Sequence, residues 1–382
     1  MHIAFNGWFW DQPYTGSGQY LRRLLDALHR LAPDLRLTLV IPARMRTLDG
    51  LPPLVDVLPV GGRFGGDLGK VLFEQRGFPR ALARLQADLA HVPYWAPPLR
   101  SPIPVVCSVL DVIPLALPEY RAGLLNRLYT SLVTAATRGA AQVLTISQAS
   151  QRDITARIGV PPERITVTYL AADRVFHPEG DRAADDAVRA RYSLDDAPEF
   201  VLYLGSFNAH KNLPLLLAAY TYVAQGARPD VPLVLAGHTP AAWGTRRFPD
   251  LPAYIAELGL GDYVRWIGPV AEEDKAALYR LASVFAFPSR YEGFGLGPLE
   301  AMASGTPVVA CNVSSIPEVT GDAAFLVGAT DAKAMGGAIL ALLVQPDYAR
   351  QIANRGLARA REFSWRKTAE GTLAVYTQAL AR

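Results

Sequence analysis

FPSRYEGFGLGPLEAMASGTPVV, residues 287–309, combines an apolar strand, a glycine-rich turn and a short helix in one stretch of the chain. Proline is favoured in the first turn of a helix, so we expect the helix to start near Gly297-Pro298, and Gly305 suits its C-terminal cap. The backbone N–H groups of residues 294–296 would then point at whatever lies before the helix. Such N–H groups, together with the helix dipole, favour a bound phosphate. The stretch therefore predicts an anion site between a strand and a helix.

Two glutamates flank this turn. We expect Glu300 in the first turn of the helix, on its exposed or cleft side, where a carboxylate accepts hydrogen bonds from vicinal hydroxyls such as those of a ribose. Glu292 precedes the turn and would project toward the group beyond the phosphate. The alternative is that Glu300 only complements the helix dipole and Glu292 is an ordinary turn residue. The glycine turn, the helix start and the second acid together favour the binding interpretation.

Short apolar runs alternate with helical patterns on both sides of this stretch, and the series starts twice. The predicted strands are His2–Asn6, Arg36–Ile41, Asp88–Val92, Val105–Leu110 and Gln142–Ile146 in the first series, and Phe200–Leu204, Pro232–Ala236, Tyr263–Ile267, Val284–Pro288 and Thr306–Ala310 in the second. Strands that alternate with helices predict a parallel sheet covered on both faces. The polar segment Pro178–Pro198 separates the series as a linker with a short helix. The pattern predicts two successive α/β domains whose strand C-termini face a shared cleft.

Composition narrows the class of protein. Half of the 382 residues are hydrophobic and 19% are charged, which suits a folded enzyme and excludes a disordered scaffold. A net charge of +3 is too small to indicate nucleic acid as a partner. Residues 36–100 carry nine Lys or Arg against five Asp or Glu. That local excess is either an ordinary solvated surface or a face that meets anionic phospholipid or a phosphorylated acceptor.

Membrane spans, disulfides and metal sites are not predicted. No run approaches the ~18 apolar residues that span a bilayer, so we expect a cytoplasmic protein, with peripheral contact at the inner face of the cell membrane as an option. Cys107 and Cys311 each lie in an apolar run, which indicates buried thiols and no disulfide framework. The six histidines lack metal-ligand spacing and there is no Asp-x-Asp pair, so we expect neither a metal nor a resident cofactor.

A second charged turn, GSFNAHKN over residues 205–212, lies between a predicted strand and a predicted helix. Lys211 can neutralise a leaving diphosphate as a point charge. The alternative is a solvated lysine that closes a loop.

Glycines also punctuate the segment between the first strand and the first helix, QPYTGSGQY at residues 12–20. Gly16 and Gly18, on either side of Ser17, would allow a ligand phosphate or sugar to approach backbone amides. A nicotinamide dinucleotide site is disfavoured, because Leu21 stands at the third glycine position and the second strand ends without an acid for a ribose hydroxyl.

Aromatic residues follow one further strand of the first series, and a Leu-Asp pair ends another. The sequence HVPYW, residues 91–95, ends a predicted strand, and a sugar can stack on Tyr94 or Trp95, although an aromatic residue at a strand end is also common in cores. Leu110-Asp111 ends the strand that starts at Val105.

The stretch at residues 292–309 resembles the signature of the retaining GT-B glycosyltransferases of family 4, which include bacterial mannosyltransferases of lipopolysaccharide, capsule and phospholipid mannoside synthesis. The resemblance covers essentially the whole chain. Its other segments, in the family's order, are Gly16-Ser17-Gly18 with Tyr20-Leu21, Ser147–Ser150, Pro161–Ile165, Asp173–Pro178, Gly205–Asn212, Ile316–Val319 and Phe363–Trp365.

The resemblance implies an α/β protein of the GT-B fold, with two Rossmann-like domains that face a central cleft. The N-terminal, acceptor-side domain would comprise residues 1–175 plus 366–382, and the C-terminal, donor-binding domain residues 176–365. The last helix, Thr368–Leu380, would cross back to the N-terminal domain. Arg44, Arg46 and Arg63 are candidate acceptor contacts or ordinary surface arginines.

The resemblance also implies the reaction: transfer of a sugar, with retention and without metal, from a GDP-, UDP- or dTDP-linked donor to a hydroxyl of a glycan or lipid-linked acceptor. Lys211 and Glu292 are the expected catalytic residues, in a front-face mechanism where the leaving phosphate takes the acceptor's proton. Glu292 would contact the donor sugar and Glu300 the nucleotide ribose. The expected donor-binding residues are Gly16, Ser17, Gly18, Ser206, His210, Lys211, Glu292, Gly293, Phe294, Gly295, Leu296 and Glu300, and those on the sugar or acceptor side are Leu110, Asp111 and Tyr94.

Two departures from the family pattern stand out. The family pairs its lysine with an arginine, often the preceding residue, but here that residue is His210, and Ser206 occupies the other position. Many members carry His-Asp where this chain has Leu110-Asp111, from which we hypothesise a donor sugar without a 6-hydroxyl. The alternatives to a transferase are a catalytically silent sugar-nucleotide binding protein and a GT-B-fold isomerase or phosphorylase, for which we find no base or pyridoxal lysine.

Overall fold

The computed structural model describes residues 1–45, 48–62, 65–120 and 123–381. The chain divides into two compact units. Unit 1 comprises Met1–Leu170 with Ser364–Arg382, and unit 2 comprises Ala171–Phe363. The boundaries expected from the sequence, after residues 175 and 365, lie a few residues from these divisions.

Unit 1 alternates strands and helices. Its strands are β1 (His2–Asn6), β2 (Arg36–Pro42), β3 (Val55–Val60), β4 (Leu89–Val92), β5 (Val105–Ser108), β6 (Gln142–Thr145) and β7 (Ile165–Val167). The helices that follow them are α1 (Gly16–Leu31), α2 (Gly66–Leu72), a π-helix (Phe73–Gly77), α3 (Phe78–Leu85), α4 (Ile113–Ala116), α5 (Leu124–Gly139) and α6 (Gln148–Ile158). The strands form one parallel sheet in the order β3-β2-β1-β4-β5-β6-β7.

Unit 2 has the same architecture. Its strands are β8 (Val201–Leu204), β9 (Leu233–Ala236), β10 (Val264–Gly268), β11 (Val284–Phe287), β12 (Val308–Cys311) and β13 (Phe325–Val327). Its helices are α7 (Arg182–Arg191), α8 (Leu213–Ala224), α9 (Leu251–Glu257), α10 (Lys275–Leu281), α11 (Leu296–Ala303), α12 (Ile316–Thr320), α13 (Ala332–Val344) and α14 (Pro346–Ala360). The sheet is again parallel, in the order β10-β9-β8-β11-β12-β13.

Both sheets bury their central strands along their whole length, which explains the uninterrupted apolar runs in the sequence. The expected pair of Rossmann-like parallel sheets is confirmed. Strands β3, β7 and β13 are additional to those expected. The last two have only three residues each, and β3 is a partly exposed edge strand with a proline.

The last helix, α15 (Trp365–Leu380), belongs to unit 1 and packs against α1, as the resemblance implied. Ser364 caps its N-terminus by accepting a hydrogen bond from the backbone N–H of Lys367 at 3.2 Å. Tyr376 is fully buried, and its hydroxyl lies 2.6 Å from Nδ1 of His91 on β4. Burial lowers the pKa of His91 to about 3, so this histidine is neutral. The C-terminal segment is therefore part of the core of unit 1.

Within the described ranges, no helix has the length and apolar character needed to cross a bilayer.

Candidate active site

The glycine-rich turn within residues 287–309 lies between the end of β11 and the start of α11. Strand β11 lies between β8 and β12 in the sheet. Helix α11 begins at Leu296, slightly before the expected start at Gly297-Pro298. Gly295 precedes it with φ +112°, and a Cβ there would lie 2.7 Å from Cδ1 of Ile316, so only glycine fits. The first N–H groups of any helix have no partner inside it. The turn therefore presents backbone donors at the carboxyl edge of the sheet, and Gly305 at φ +80° ends the helix as expected.

Two serines after β12 hold this turn in place, and the sequence interpretation did not single them out. The backbone N–H of Glu292 donates to Oγ of Ser314 at 2.9 Å. Oγ of Ser315 donates to the backbone carbonyl oxygens of Glu292 at 3.0 Å and Phe294 at 2.6 Å. These bonds fix the chain direction on either side of Gly293. The Ser-Ser pair just before Ile316 could have suggested such a role, since short hydroxyl side chains commonly bond nearby backbone.

Lys211 and Glu292, the two expected catalytic residues, form an ion pair. Lys211 Nζ lies 2.6 Å from Oε1 of Glu292, with both side chains largely buried at 17% and 13% exposure. The ammonium also lies 5.2 Å from the ring centre of Phe287 at the end of β11. Loops after two neighbouring strands thus bring together residues 81 positions apart. A short charge-assisted hydrogen bond of this kind fixes the direction of both side chains.

Asn212 locks the Lys211 loop onto its neighbours. Its φ of +58° ends the 3-10 turn Ala209–Lys211, and its Nδ2 donates to the backbone carbonyl oxygens of Pro288 at 3.1 Å and Ala329 at 3.0 Å. Asparagine tolerates this left-handed backbone better than most residues. The loop after β8 is therefore tied to the loops after β11 and β13.

Glu300 differs from the expectation in two respects. Because α11 begins at Leu296, Glu300 is its fifth residue and lies beyond the first turn. The residue is only 7% exposed, so it does not lie on an open face, and its Oε2 accepts a hydrogen bond from the hydroxyl of Tyr279 at 3.1 Å. Burial raises the pKa of Glu300 to about 7, and nearby Lys275 opposes the rise. Near neutral pH the carboxyl is thus present in both its protonated and its ionised form.

The positions where the family places arginine hold small or buried polar groups. Ser206 is exposed, and its Oγ accepts a hydrogen bond from Nδ2 of Asn208 at 2.8 Å. His210 is 6% exposed, and its backbone carbonyl accepts from the N–H of Arg290 at 2.8 Å. The roles of both residues in donor binding stay predictions.

In unit 1, helix α1 begins at Gly16, so the glycine-serine segment is its first turn. Thr15 caps the helix by accepting from the N–H of Gly18 at 3.1 Å. A Cβ on Gly18 would lie 2.0 Å from the carbonyl oxygen of Gln12, whereas Gly16 has open space around it. Gly18 is therefore required for packing within the chain, which differs from the expected approach of a ligand to its amide. Gly16 and Ser17 remain open to such an approach at the helix N-terminus.

The candidate sugar-side residues of unit 1 are structured by local contacts. Oδ1 of Asp111 accepts from the N–H of Ile113 at 3.0 Å, just before α4, and the carbonyl of Leu110 accepts from Oγ of Ser150 at 3.3 Å. Tyr94 is 4% exposed and packs edge-on to Phe9 at 4.8 Å between ring centres. Stacking of a sugar on Tyr94 needs an exposed ring face, so that expectation is corrected to a core role.

Among the candidate acceptor arginines, the guanidinium of Arg44 lies 4.9 Å from the ring centre of Trp8. Arg46 and Arg63 lie outside the described residues. No three His, Cys, Asp or Glu side chains of the described chain are grouped as metal ligands would be, and metal independence stays a prediction.

Known proteins are similar to this chain in sequence. Residues 14–176 match the family described as Glycosyltransferase Family 4, and residues 185–359 match Glycosyl transferases group 1. The O-antigen chain mannosyltransferase B of Escherichia coli is 35% identical over 71% of this chain and 69% of its own length. The MMP alpha-(1->4)-mannosyltransferase of Mycolicibacterium hassiacum is 34% identical over 63% of this chain and 55% of its own length.

The fold is shared with solved structures as well. A sucrose-phosphate synthase from Thermosynechococcus elongatus superposes with a TM-score of 0.76 at 22% identity, over 100% of this chain and 99% of that one. The two parallel sheets and the return of the last helix to unit 1 are the GT-B arrangement. Together with the two sequence matches, these findings show that this chain belongs to the family 4 glycosyltransferases, retaining GT-B enzymes that use a nucleotide-sugar donor.

Proposed function

We propose that this chain moves a sugar from a nucleoside diphosphate donor, bound in unit 2, to a hydroxyl of a glycan or lipid-linked acceptor in the synthesis of bacterial cell-surface polysaccharide or glycolipid. The ion pair between Lys211 and Glu292, beside the start of α11, carries this proposal. It joins a cation suited to a diphosphate with a carboxylate suited to sugar hydroxyls. The similarity to an O-antigen chain mannosyltransferase supports the class of acceptor.

In the proposed reaction, the bond between the anomeric carbon and the diphosphate oxygen breaks, and the acceptor oxygen bonds to the same face of that carbon. The acceptor's proton passes to an oxygen of the leaving phosphate, so no protein base is required. Lys211 stabilises the leaving diphosphate, and Glu292 accepts hydrogen bonds from the sugar hydroxyls. The backbone N–H groups at residues 294–296 hold the phosphates, and by analogy with oxyanion donors each contact is worth roughly 2.7–4 kcal/mol.

Two further residues, one in each unit, enter the proposal for the donor. Glu300 would accept hydrogen bonds from the ribose hydroxyls when it is ionised. GDP-, UDP- and dTDP-linked donors share that ribose or deoxyribose and the diphosphate, so the base is left to experiment. Leu110 offers an apolar contact where many relatives have a histidine, which favours a donor sugar that lacks a 6-hydroxyl. We propose that the acceptor binds to unit 1 and that no step of the reaction uses a metal ion.

Release of nucleoside diphosphate from a panel of GDP-, UDP- and dTDP-sugars, with and without acceptor, tests the proposed function. We expect release that depends on an acceptor hydroxyl and that Lys211→Ala removes. A silent binding protein would bind a diphosphate without releasing it from any donor, and an isomerase would convert the donor without forming a glycoside. Either result would contradict the proposal.

We also propose peripheral membrane contact through one surface of unit 1, the leucine surface. It comprises four leucines on α2 and the first turns of α5, each at least 58% exposed: Leu68, Leu124, Leu125 and Leu128. Three of them line a cavity of about 710 Å³ together with Lys70 and Tyr129. Such exposed apolar side chains suit contact with a bilayer.

Three arginines spaced four residues apart supply positive charge on the helical segments that follow α2. Arg76, Arg80 and Arg84 are exposed, and within the described part of the chain none of them forms an ion pair. We expect co-sedimentation with phosphatidylglycerol vesicles but not with phosphatidylcholine vesicles, and a loss of binding in Leu125→Glu. Leu99→Glu, at another exposed leucine of unit 1, is the control. Equal binding by both variants would exclude the leucine surface.

A further inference from the structure

The donor site proposed for unit 2 has little positive charge of its own. Glu292 neutralises Lys211 at 2.6 Å. Ser206 and His210 occupy the positions where family members carry arginine. A diphosphate carries at least about two negative charges, whereas the N-terminus of α11 contributes only about half a positive charge. Binding a diphosphate here therefore requires cations from neighbouring loops.

Arg290 lies on the loop after β11, two residues before Glu292. Its backbone N–H donates to the carbonyl oxygen of His210 at 2.8 Å, and its Nη2 donates to the carbonyl oxygen of Ala209 at 3.2 Å. These bonds hold an exposed guanidinium against the turn that carries Lys211. The arginine is thus placed next to the position that lacks one.

Arg247 reaches the same turn from the loop after β9. Its carbonyl oxygen accepts from the N–H of Ala209 at 2.7 Å, and its Nε donates to Oδ1 of Asn208 at 2.9 Å. The guanidinium belongs to an exposed residue. Arg247 and Arg290 therefore both bond to Ala209, in the turn that carries Lys211.

The loop after β9 is packed closely on the loop after β8. A Cβ on Gly237, where the first of these loops begins, would lie 2.0 Å from the carbonyl oxygen of Gly205, so the two backbones are in contact. Farther on, the ring of Trp243 lies 5.8 Å from that of Phe207. Since β9 and β11 are the two neighbours of β8, the two arginines approach the turn from its opposite sides.

We propose that Arg247 and Arg290 bind the leaving phosphate of the donor and replace the charge that Ser206 and His210 do not supply. The guanidinium is always charged and presents forked donors that match phosphate oxygens. In this assignment, Lys211 contacts the diphosphate from one loop, and the two arginines complete its neutralisation from the loops on either side. The assignment rests on the donor site proposed above and adds the residues that hold its anion.

Calorimetric titration with UDP, GDP, UMP and GMP tests the assignment in Arg247→Ala, Arg290→Ala, Arg290→Lys and Arg246→Ala. Arg246 is the control, because it is an exposed arginine adjacent to Arg247 for which no contact of its side chain is found among the described residues. We expect each of the first two variants to weaken binding of the preferred diphosphate by about tenfold or more. Binding of the matching monophosphate should change by less than about threefold, Arg290→Lys should keep part of the affinity, and Arg246→Ala should match the parent.

The ratio of diphosphate to monophosphate affinity separates phosphate binding from a structural role. A variant that only loosened the turn would weaken both nucleotides alike, and that result would overturn the assignment, as would diphosphate affinities within about twofold of the parent. If the parent bound a diphosphate tightly while both arginine variants did so equally well, the donor site would stand and only the arginine assignment would fail. A parent chain that bound neither diphosphate would contradict the donor site itself.

Discussion

Each unit has a Lys–Glu ion pair near the carboxyl edge of its sheet, and the two pairs differ in how far their carboxylates are buried. After β8 and β11 in unit 2, Lys211 and Glu292 form a pair that remains partly accessible, at 17% and 13% exposure. Near the ends of β1 and β4 in unit 1, Lys70 lies 3.3 Å from a fully buried Glu74 and within about 5.4 Å of three aromatic ring centres. Both members of the unit 2 pair are slightly exposed, whereas in the unit 1 pair Lys70 is 23% exposed and Glu74 has no exposed surface. A ligand can therefore reach both groups of the unit 2 pair but only the lysine of the unit 1 pair.

The same contrast holds for the buried carboxyl groups. Burial raises the pKa of Glu74, and Lys70 and the hydroxyl of Tyr129 oppose that rise. Burial also raises the pKa of Glu300, which has one tyrosine hydroxyl as hydrogen-bond donor and lies on the helix that starts at the glycine turn. Lys70 pairs directly with Glu74 at 3.3 Å, whereas Lys275, the lysine that opposes the rise at Glu300, pairs with Glu272. The pKa of Glu300 is raised to about 7, where ligand binding can change its protonation.

The largest effect is expected where the accessible pair is broken. Lys211→Ala and Glu292→Ala should each lower the turnover rate by about 100-fold or more, because each removes a contact to the developing charge or to the donor sugar. The measurement is acceptor-dependent release of nucleoside diphosphate. Lys333→Ala, at an exposed lysine of α13, is the matched control. Turnover near the parent rate in Lys211→Ala would show that the site is wrongly placed.

Breaking the buried pair should affect stability and leave donor binding unchanged. Lys70→Met leaves Glu74 in the core without its cation, which we expect to lower the free energy of unfolding by about 3 kcal/mol. Thermal unfolding measures this loss, and diphosphate titration should give the parent affinity. Arg84→Met, at an exposed arginine of α3, is the control for loss of one positive charge. A large drop in diphosphate affinity in Lys70→Met would remove the distinction between the two pairs.

Glu300→Gln should sharpen the comparison through pH. The native carboxyl keeps its proton up to about pH 7, while the unfolded one loses it near 4.5, so its contribution to stability is full below the lower value and is lost as pH rises through the higher one. Glutamine cannot ionise, so at pH 8 the free energy of unfolding of the variant should exceed that of the parent by at most about 3 kcal/mol, and the variant should unfold at a higher temperature. At pH 4 the two proteins should be equally stable. Donor binding at pH 8 should weaken.

Unfolding temperatures recorded from pH 4 to 9 supply the test of Glu300, with Glu362→Gln as an exposed control carboxyl. A parent-like profile in Glu300→Gln would mean that this carboxyl titrates normally.

The smallest effect concerns donor choice at Leu110. Leu110→His adds a hydrogen-bond donor where the proposed 6-deoxy sugar has a methyl group, so the ratio of kcat/KM for a 6-hydroxy hexose donor to that for its 6-deoxy counterpart should rise about fivefold. Leu115→His, on α4, is the control. A parent enzyme that already prefers the ordinary hexose would contradict the hypothesis.

Part of the candidate site could be predicted from the sequence because its signal is local. A strand, a glycine turn, a proline and a helix cap within 23 consecutive residues define the backbone of the β11–α11 turn without any distant contact. Edge strands such as β3 and β13 were not predicted, because their residues are only partly buried. The predicted start of α11 was slightly too late, and Glu300 was predicted to be more exposed than it is. Helix ends and side-chain burial depend on what packs against them, which the sequence does not show.

The sequence by itself determined the two α/β units and the family, and it predicts Lys211, Glu292 and Glu300 as site residues. Only the tertiary structure decided which of these groups are in contact. Lys211 and Glu292 are 81 residues apart, and they meet because β8 and β11 are neighbours in the sheet. Arg247 and Arg290 carry no motif of their own, and their bonds to the Lys211 turn exist only because loops from adjacent strands converge at one sheet edge. The physical reason is that charge compensation and burial depend on distances in space, which the order of residues does not contain.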